Sequence, residues 1–434
     1  MANTSEKKKG LGTFSTLSIG IGGMVGGGIF AVTGLSIEIA KGSAPIAFAI
    51  AGLVALLTGY SYLRLTLKYP GEGGTVSFLN KGFGTGTFTG GLNILLLFSY
   101  VVLVSVYAYA FGGYASSFFP AADQEFWRYA LTTGVILLLL FVNAFGGKSV
   151  MRSENVFNAV KMIILLGFII AGLTMDADWT RIEPQNYVSP LGMISGAMLI
   201  FLNYEGFELI ANASGEVANP KKTLPIAYIG GILIAMTFYL FIVSVVIGHL
   251  NFSEIAKNSD NSLSVAAEKM LGRSGFIAVA IAAILATSSA INATFYSTGK
   301  LTYIIAQSGE LPTKMEGSFR GQHLVGTIIT AGLAIIVANF VPLEAIATMG
   351  SAGFLLIFMM VNIANVRLAK ETGSKKWLSA LAALMTAVAF VILCIKVDEN
   401  PATKNHLWIL AGMVIMSFLI EKIYRNWIKK GIKE

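Results

Sequence analysis

The sequence predicts an all-α polytopic membrane protein of twelve transmembrane helices, the first and sixth discontinuous. Three observations carry that expectation. Of 434 residues, 55% are hydrophobic and 12% charged, with a mean hydropathy of +0.71, whereas a soluble chain carries roughly 25% charged residues. The apolar residues gather in twelve segments, near 12–38, 43–67, 87–118, 127–144, 154–175, 188–214, 224–249, 275–300, 323–341, 345–366, 377–396 and 405–421, most of them close to the ~20 residues a helix needs to cross a bilayer. Segments 1 and 6 also hold residue types that an uninterrupted spanning helix does not favour.

Charge supplies the orientation. The formal net charge is +8, but its distribution argues against a nucleic-acid partner. With the N-terminus in the cytoplasm, and residues at segment ends counted with the face they adjoin, 22 of the 31 Lys and Arg fall on the cytoplasmic side, 8 outside and one, Lys161, within a segment. The cytoplasmic set includes Lys7 to Lys9, Lys148, Arg152, Lys221, Lys222, Lys375, Lys376, Lys429 and Lys430. This is the positive-inside pattern, and twelve crossings return the C-terminus to the cytoplasm. Cys394 is the only cysteine, and His249, His323 and His406 are scattered in or beside loops, so neither a metal site nor a cofactor is expected. No nucleophile–base pair is recognisable, so no catalytic residue is assigned. The first apolar segment is too long for the core of a signal peptide.

Segment 1 contains Gly20-Ile21-Gly22-Gly23-Met24-Val25-Gly26-Gly27-Gly28-Ile29-Phe30. Each glycine costs about 0.8–1 kcal/mol relative to alanine inside a helix, so the cluster reads as a break. Broken backbone at membrane depth is tolerated where protein buries it or it lines a cavity. The amides near Gly26, Gly27 and Gly28 would then open a second half-helix, whose positive end suits an anion. Close helix packing through small residues is the alternative reading. Gly26-x-Gly28-x-x-Ala31 also matches a dinucleotide fingerprint, but no strand precedes it and no acid follows at the required distance, so the match is discarded.

Segment 2 ends in turn chemistry at Tyr69 to Gly74. Segment 3 is long and aromatic, with Tyr100 and Ser105 as candidate pocket walls and its other aromatics assigned to packing. Segment 5 is apolar except for Asn158 and Lys161. A charged lysine there costs at least about 2.5–3.5 kcal/mol on insertion scales. It either snorkels to the headgroups or is a buried amine facing a polar partner and able to carry a proton. Segment 6 holds Leu202-Asn203-Tyr204-Glu205-Gly206-Phe207-Glu208, two carboxylates around a glycine, which should face a cavity, broken backbone or a structural partner. Segment 7 is unremarkable. Ser264 to Leu271 reads as a short amphipathic helix on the outer face. Segment 8 carries Thr287-Ser288-Ser289 at a depth comparable with Lys161, although such hydroxyls often bond only to their own helix. Segments 9 to 12 suggest no chemistry.

Five segments separate the start of the first interrupted one from the start of the second, and an odd separation reverses direction across the membrane. Interrupted segments at matching positions of inverted halves point to a midplane binding site in a transporter. The chain is therefore divided into an N-terminal cytoplasmic stretch 1–11, a first repeat 12–175, a second repeat 188–370, segments 11 and 12 at 376–424, and a cytoplasmic tail 425–434.

Five motifs together resemble the amino acid–polyamine–organocation superfamily, whose members share the leucine-transporter-type fold of 5+5 inverted repeats. They are Gly22-x-x-x-Gly26-x-Gly28-Ile29-Phe30, Gly206-Phe207-Glu208, Asn219-Pro220-Lys221-Lys222-x-x-Pro225, Ser288-Ser289-Ala290-x-Asn292-Ala293-Thr294 and Gly309-Glu310-Leu311-Pro312. The chain looks most like the prokaryotic proton-coupled, broad-specificity amino acid transporters of that superfamily. The resemblance implies a substrate site of Gly22, Gly23, Met24, Gly26, Gly27 and Gly28 in segment 1, with Asn203, Tyr204, Glu205 and Gly206 in segment 6. The carboxylate would sit on the amides at 26–28, and the amino group on carbonyls near Gly23, Met24, Asn203 and Tyr204. It also implies that Lys161, with Gly22 and Ser288 or Ser289, occupies the place of a sodium ion in other relatives, so that transport is coupled to protons, with Glu208 a further coupling candidate. The implied partners are an amino acid, protons and the plasma-membrane bilayer; exchange of amino acids or amines without ion coupling is the alternative. Glu205 lies outside the expected pattern, with two readings open: a preference for cationic substrates, or a share in the proton coupling.

Overall fold

The computed structural model describes residues 10–71, 73–317, 323–399 and 403–428, with backbone alone at 146–155, 313, 316, 427 and 428. Lys7 to Lys9, Lys429 and Lys430 lie outside the described residues, as do the side chains of Lys148 and Arg152.

Eleven helices among the described residues are long and apolar enough to cross a membrane: Thr13–Ala40, Ala44–Lys68, Thr87–Ser116, Ala121–Phe145, Val156–Thr174, Pro190–Glu216, Pro220–His249, Ser262–Gln307, Leu343–Arg367, Lys376–Glu399 and Asn405–Asn426. They coincide with segments 1–8 and 10–12. Segment 9 forms the 17-residue helix Leu324–Phe340, about 26 Å long against a hydrocarbon core of ~30 Å. Burial sorts the segments into layers. The most apolar stretch is 83% buried in segments 3 and 6 and 78% in segment 10, but 17% in segment 4 and 28% in segments 5, 11 and 12. Segments 3, 6 and 10 are thus the core, and the outer segments carry the apolar surface that suits lipid.

Segment 1 is broken as expected. Helix Thr13–Met24 ends at Val25, and helix Gly27–Ala40 starts after Gly26, whose φ of −93° and ψ of −144° are not helical. Segment 6 is interrupted differently. Helix Pro190–Ile200 tightens into a seven-residue 3-10 stretch, Phe201–Phe207, before Glu208–Ala213 resumes the α-helix. A long 3-10 stretch within a helix is a strained arrangement, and it falls on the segment 6 motif.

The two broken segments run antiparallel and are tied at three levels. At one end, the Leu11 amide donates to the Glu216 carbonyl at 2.7 Å and the Ala218 amide to the Leu11 carbonyl at 2.8 Å. At the other, the Gly42 amide donates to the Asn186 carbonyl at 3.1 Å. Between them the backbones touch: a Cβ added to Gly206 would lie 2.3 Å from both Gly23 C and Met24 N.

Several connections depart from the expected pattern. The turn after segment 2 leads directly into a ten-residue helix, Gly74–Phe83, that the sequence reading did not anticipate. Helical hydrogen bonding runs from Gln124 to Thr174 across segments 4 and 5. Contacts nonetheless place Thr132 beside Gly112 and Gly172 beside His249 at one end, with Asn143 and Asn158 toward the other. The amphipathic stretch does form a helix from Ser262, with Leu263, Ala266 and Ala267 buried. It is set off from segment 8 by Gly272 at φ +66°.

Replacing Gly206 by alanine is expected to force the two breaks apart at a cost of about 1–3 kcal/mol, read as a lowered melting temperature of the purified protein. Gly167→Ala is the control, because a Cβ there meets nothing within 4 Å; its Tm should stay near wild type.

Candidate functional site

The break in segment 1 leaves the N-terminus of a 14-residue helix without a side-chain cap. The first amides of such a helix have no intrahelical acceptor, and its dipole is positive at that end. Three neighbours close on it, two through side chains and one through its backbone. Added Cβ atoms would lie 2.6 Å from Tyr107 Cδ1 at Gly27 and 2.5 Å from Asn203 Oδ1 at Gly28, so the absence of side chains is what admits segments 3 and 6. The Thr287 backbone of segment 8 stands 3.2 Å from the same point at Gly27.

Segment 7 completes the frame. The buried Tyr239 hydroxyl shares its proton between the Met24 carbonyl and the Asn203 carbonyl, the latter at 3.0 Å. One hydroxyl therefore bridges both breaks. Tyr204 points away, donating to the Phe48 carbonyl of segment 2 at 3.0 Å.

Lys161 is fully buried, and its ammonium donates to the Gly22 carbonyl at 3.1 Å. The snorkelling alternative thus gives way to a buried amine at the end of the first half-helix, where the dipole is negative. An ammonium–carbonyl bond of this kind is charge-assisted and roughly twice as strong as a neutral one. Asn158 packs on the same glycine, its Nδ2 2.8 Å from where a Cβ would stand on Gly22.

A cavity of ≈ 90 Å³ opens beside the breaks. At roughly 10–15 Å³ for each water centre, it has room for a molecule the size of an amino acid. Gly22, Gly23 and Glu205 line it together with Tyr100, Tyr107 and Ser289. Ser18, Ile19 and Leu209 extend the lining along the two half-helices that meet at Leu11 and Val217. On the opposite side of the breaks the chain is closed. Tyr114 donates to the Phe30 carbonyl at 3.3 Å and packs edge-on against the Phe30 ring. Above them the loop at Ser259 sits so close to Gly34 that an added Cβ would lie 2.3 Å from its carbonyl oxygen.

The expected site residues therefore separate. Gly22, Gly23, Glu205 and Ser289 line the cavity, and Lys161 stands behind Gly22. Met24, Gly26, Gly27, Gly28, Asn203, Tyr204 and Gly206 are buried around the breaks and do not line the cavity. Ser288 back-bonds to the Ile284 carbonyl at 2.7 Å, the local alternative foreseen for such hydroxyls. Glu208 accepts a hydrogen bond from Thr75, whose hydroxyl is also 2.7 Å from that of Tyr62; it belongs to the contact with helix Gly74–Phe83. Tyr100 lines the cavity, whereas Ser105 bonds to the Val101 carbonyl at 2.8 Å.

Sequence reasoning missed Tyr107 and Tyr239. The available signal was the cost of a buried phenol without a partner, which a tyrosine in the middle of segment 7 raises.

Comparison with known proteins now adds to this geometry. The family profile described as amino acid permease matches residues 11–419. The chain belongs to the amino acid permease family. That family lies in the amino acid–polyamine–organocation superfamily, so the protein is a transporter and not an enzyme. The permease is 34% identical to an uncharacterised protein of Methanocaldococcus jannaschii over 393 residues, 89% of each chain. It is 31% identical to the inner membrane transport protein YbaT of Escherichia coli over 439 residues, 98% of this chain and 99% of the relative. It is also 25% identical to the branched-chain amino acid permease BcaP of Bacillus subtilis over 398 residues, 85% and 83% of the two chains.

Tyr239→Phe should leave two buried carbonyls without their shared donor. A loss of about 0.5–1.5 kcal/mol is expected, visible as a lower Tm and as weaker stabilisation by bound substrate.

Proposed function

We propose that this permease takes up amino acids together with protons by alternating access, with segments 1–5 and 6–10 as inverted repeats. The observation that carries the reading is the Lys161 ammonium on the Gly22 carbonyl, at the break of segment 1 and behind a cavity that Ser289 of segment 8 also lines. A fixed cation in that place excludes sodium by charge, and an amine can gain and lose a proton where a metal ion would bind and leave. The antiparallel pairing of segments 1 and 6 supports the inverted arrangement. The relatives named as amino acid permeases support an amino acid as cargo.

In this scheme the substrate carboxylate meets the uncapped amides at Gly26, Gly27 and Gly28, and its ammonium meets carbonyls of the first half-helix and of segment 6. The cavity extends toward the N-terminal face, so with both termini in the cytoplasm of a plasma-membrane protein this is the inward-facing state. Loss of the proton from Lys161 would remove a charge-assisted bond and loosen the first half-helix from segment 5. Reprotonation would follow when the cavity faces outward. Each pKa unit by which the two states differ supplies about 1.4 kcal/mol to the cycle.

The test is uptake of a radiolabelled amino acid panel into proteoliposomes under an imposed pH or sodium gradient. Acid outside should drive accumulation and sodium should not, and Lys161→Ala should lower the pH-driven component at least tenfold. Undiminished pH-driven uptake in that variant removes Lys161 from the mechanism. Uptake that ignores both gradients and requires internal substrate identifies an exchanger instead.

A further inference from the structure

Three ionisable side chains are buried around the breaks, and the scaffold treats them differently. Lys161 has the Gly22 carbonyl, and Glu208 has Thr75, backed by Tyr62. Glu205 and Glu208 are both buried and each keeps an Oε2 atom without a hydrogen-bond partner; of the two, Glu205 lines the cavity, beside the Tyr107 hydroxyl that hydrogen-bonds to it. Burying a carboxylate without compensation is costly, and such a group is kept in a membrane core when something pairs with it. The cavity lining itself offers no Lys, Arg or His.

The rest of the lining describes the missing partner. Tyr100 and Tyr107 of segment 3 border the same space as Glu205. Aromatic rings beside a carboxylate form a good environment for an alkylammonium or guanidinium, because ring quadrupole and carboxylate both attract the cation. Ile19, Leu209, Ala290 and Ala293 add an aliphatic wall that suits a methylene stem. In the proposed scheme the α-carboxylate and α-ammonium of the substrate meet the two half-helix ends of segment 1, of which Gly22 and Gly23 line the cavity in this conformation. Glu205 is therefore a third polar point, matched to a third charge.

The geometry points to Glu205 as the specificity residue for a substrate amino acid whose side chain ends in an ammonium or guanidinium group. Tyr100 and Tyr107 act as walls of that subsite. The inference rests on the reading of the cavity as an amino acid site and adds the class of cargo.

Binding to the purified full-length protein tests it, with L-lysine, L-arginine, L-leucine and L-alanine as probes and ligand-induced thermal stabilisation as the readout. Lysine and arginine should bind at least tenfold more tightly than leucine or alanine. Glu205→Gln should erase that preference while keeping the neutral amino acids, and Glu205→Asp should retain it in weaker form. Equal binding of lysine and leucine by wild type overturns the inference. So does a Glu205→Gln variant that loses lysine and leucine in proportion, since Glu205 would then serve the α-ammonium common to both. Binding of none of the four overturns it as well. If the variants fail to fold, the wild-type preference alone decides. Proteoliposome uptake separates the two readings: tight lysine binding without uptake defeats the transport mechanism and leaves the subsite standing. Uptake of neutral amino acids without a lysine preference does the reverse.

Discussion

Two interrupted backbones held in contact inside a low-dielectric core impose the condition that the remaining architecture meets. Gly206 lies against Gly23 and Met24 with no room for a side chain, and each break frees backbone groups that lipid cannot satisfy. The neighbours answer both demands. Residues 24–30 of segment 1 and 201–207 of segment 6 are buried, so neither break faces lipid. Tyr239 supplies a proton to one carbonyl from each break, and the backbone bonds at Leu11 and Gly42 fix the two segments at their ends.

The same arrangement places charge. Helix Thr13–Met24 ends and helix Gly27–Ala40 begins within a few residues, so a negative and a positive dipole end face one small volume. Lys161 takes the negative end through Gly22. The positive end carries no side-chain cap. Glu205 sits on the strained stretch of segment 6 and Glu208 three residues later, where the α-helix resumes, and they serve different neighbours. Glu208 joins the helix after segment 2, and Glu205 borders the cavity. A carboxylate held within the packed scaffold serves structure, whereas one that borders a cavity is within reach of cargo.

Asymmetry about the breaks gives the conformation a direction. One side is shut by Phe30, Tyr114 and the loop at Ser259. The other is a cavity between the half-helices that carry Ser18 and Leu209. The half-helices on the cavity side meet each other through Leu11 and Val217, and the ammonium of Lys161 is a polar link from the first of them to segment 5. A change in that link bears directly on how the first half-helix is held.

The sequence by itself determined the class, the apolar segments, the two interruptions and the ionisable residues worth watching. Each is a local cost: glycine in a helix, or a carboxylate or amine in lipid, is unfavourable wherever the neighbours lie, so it marks its own position. Which neighbour offsets each cost was decided by the tertiary structure. Lys161 finds a carbonyl 139 residues away, Tyr239 joins breaks in two other segments, and Tyr107 borders a cavity while its helix neighbour Ser105 bonds within its own turn. Apolar helices look alike along their length, so periodicity alone did not separate a packing tyrosine from a cavity tyrosine. Nor did it foresee helix Gly74–Phe83 between two longer segments. Those distinctions arise from how the helices pack against one another.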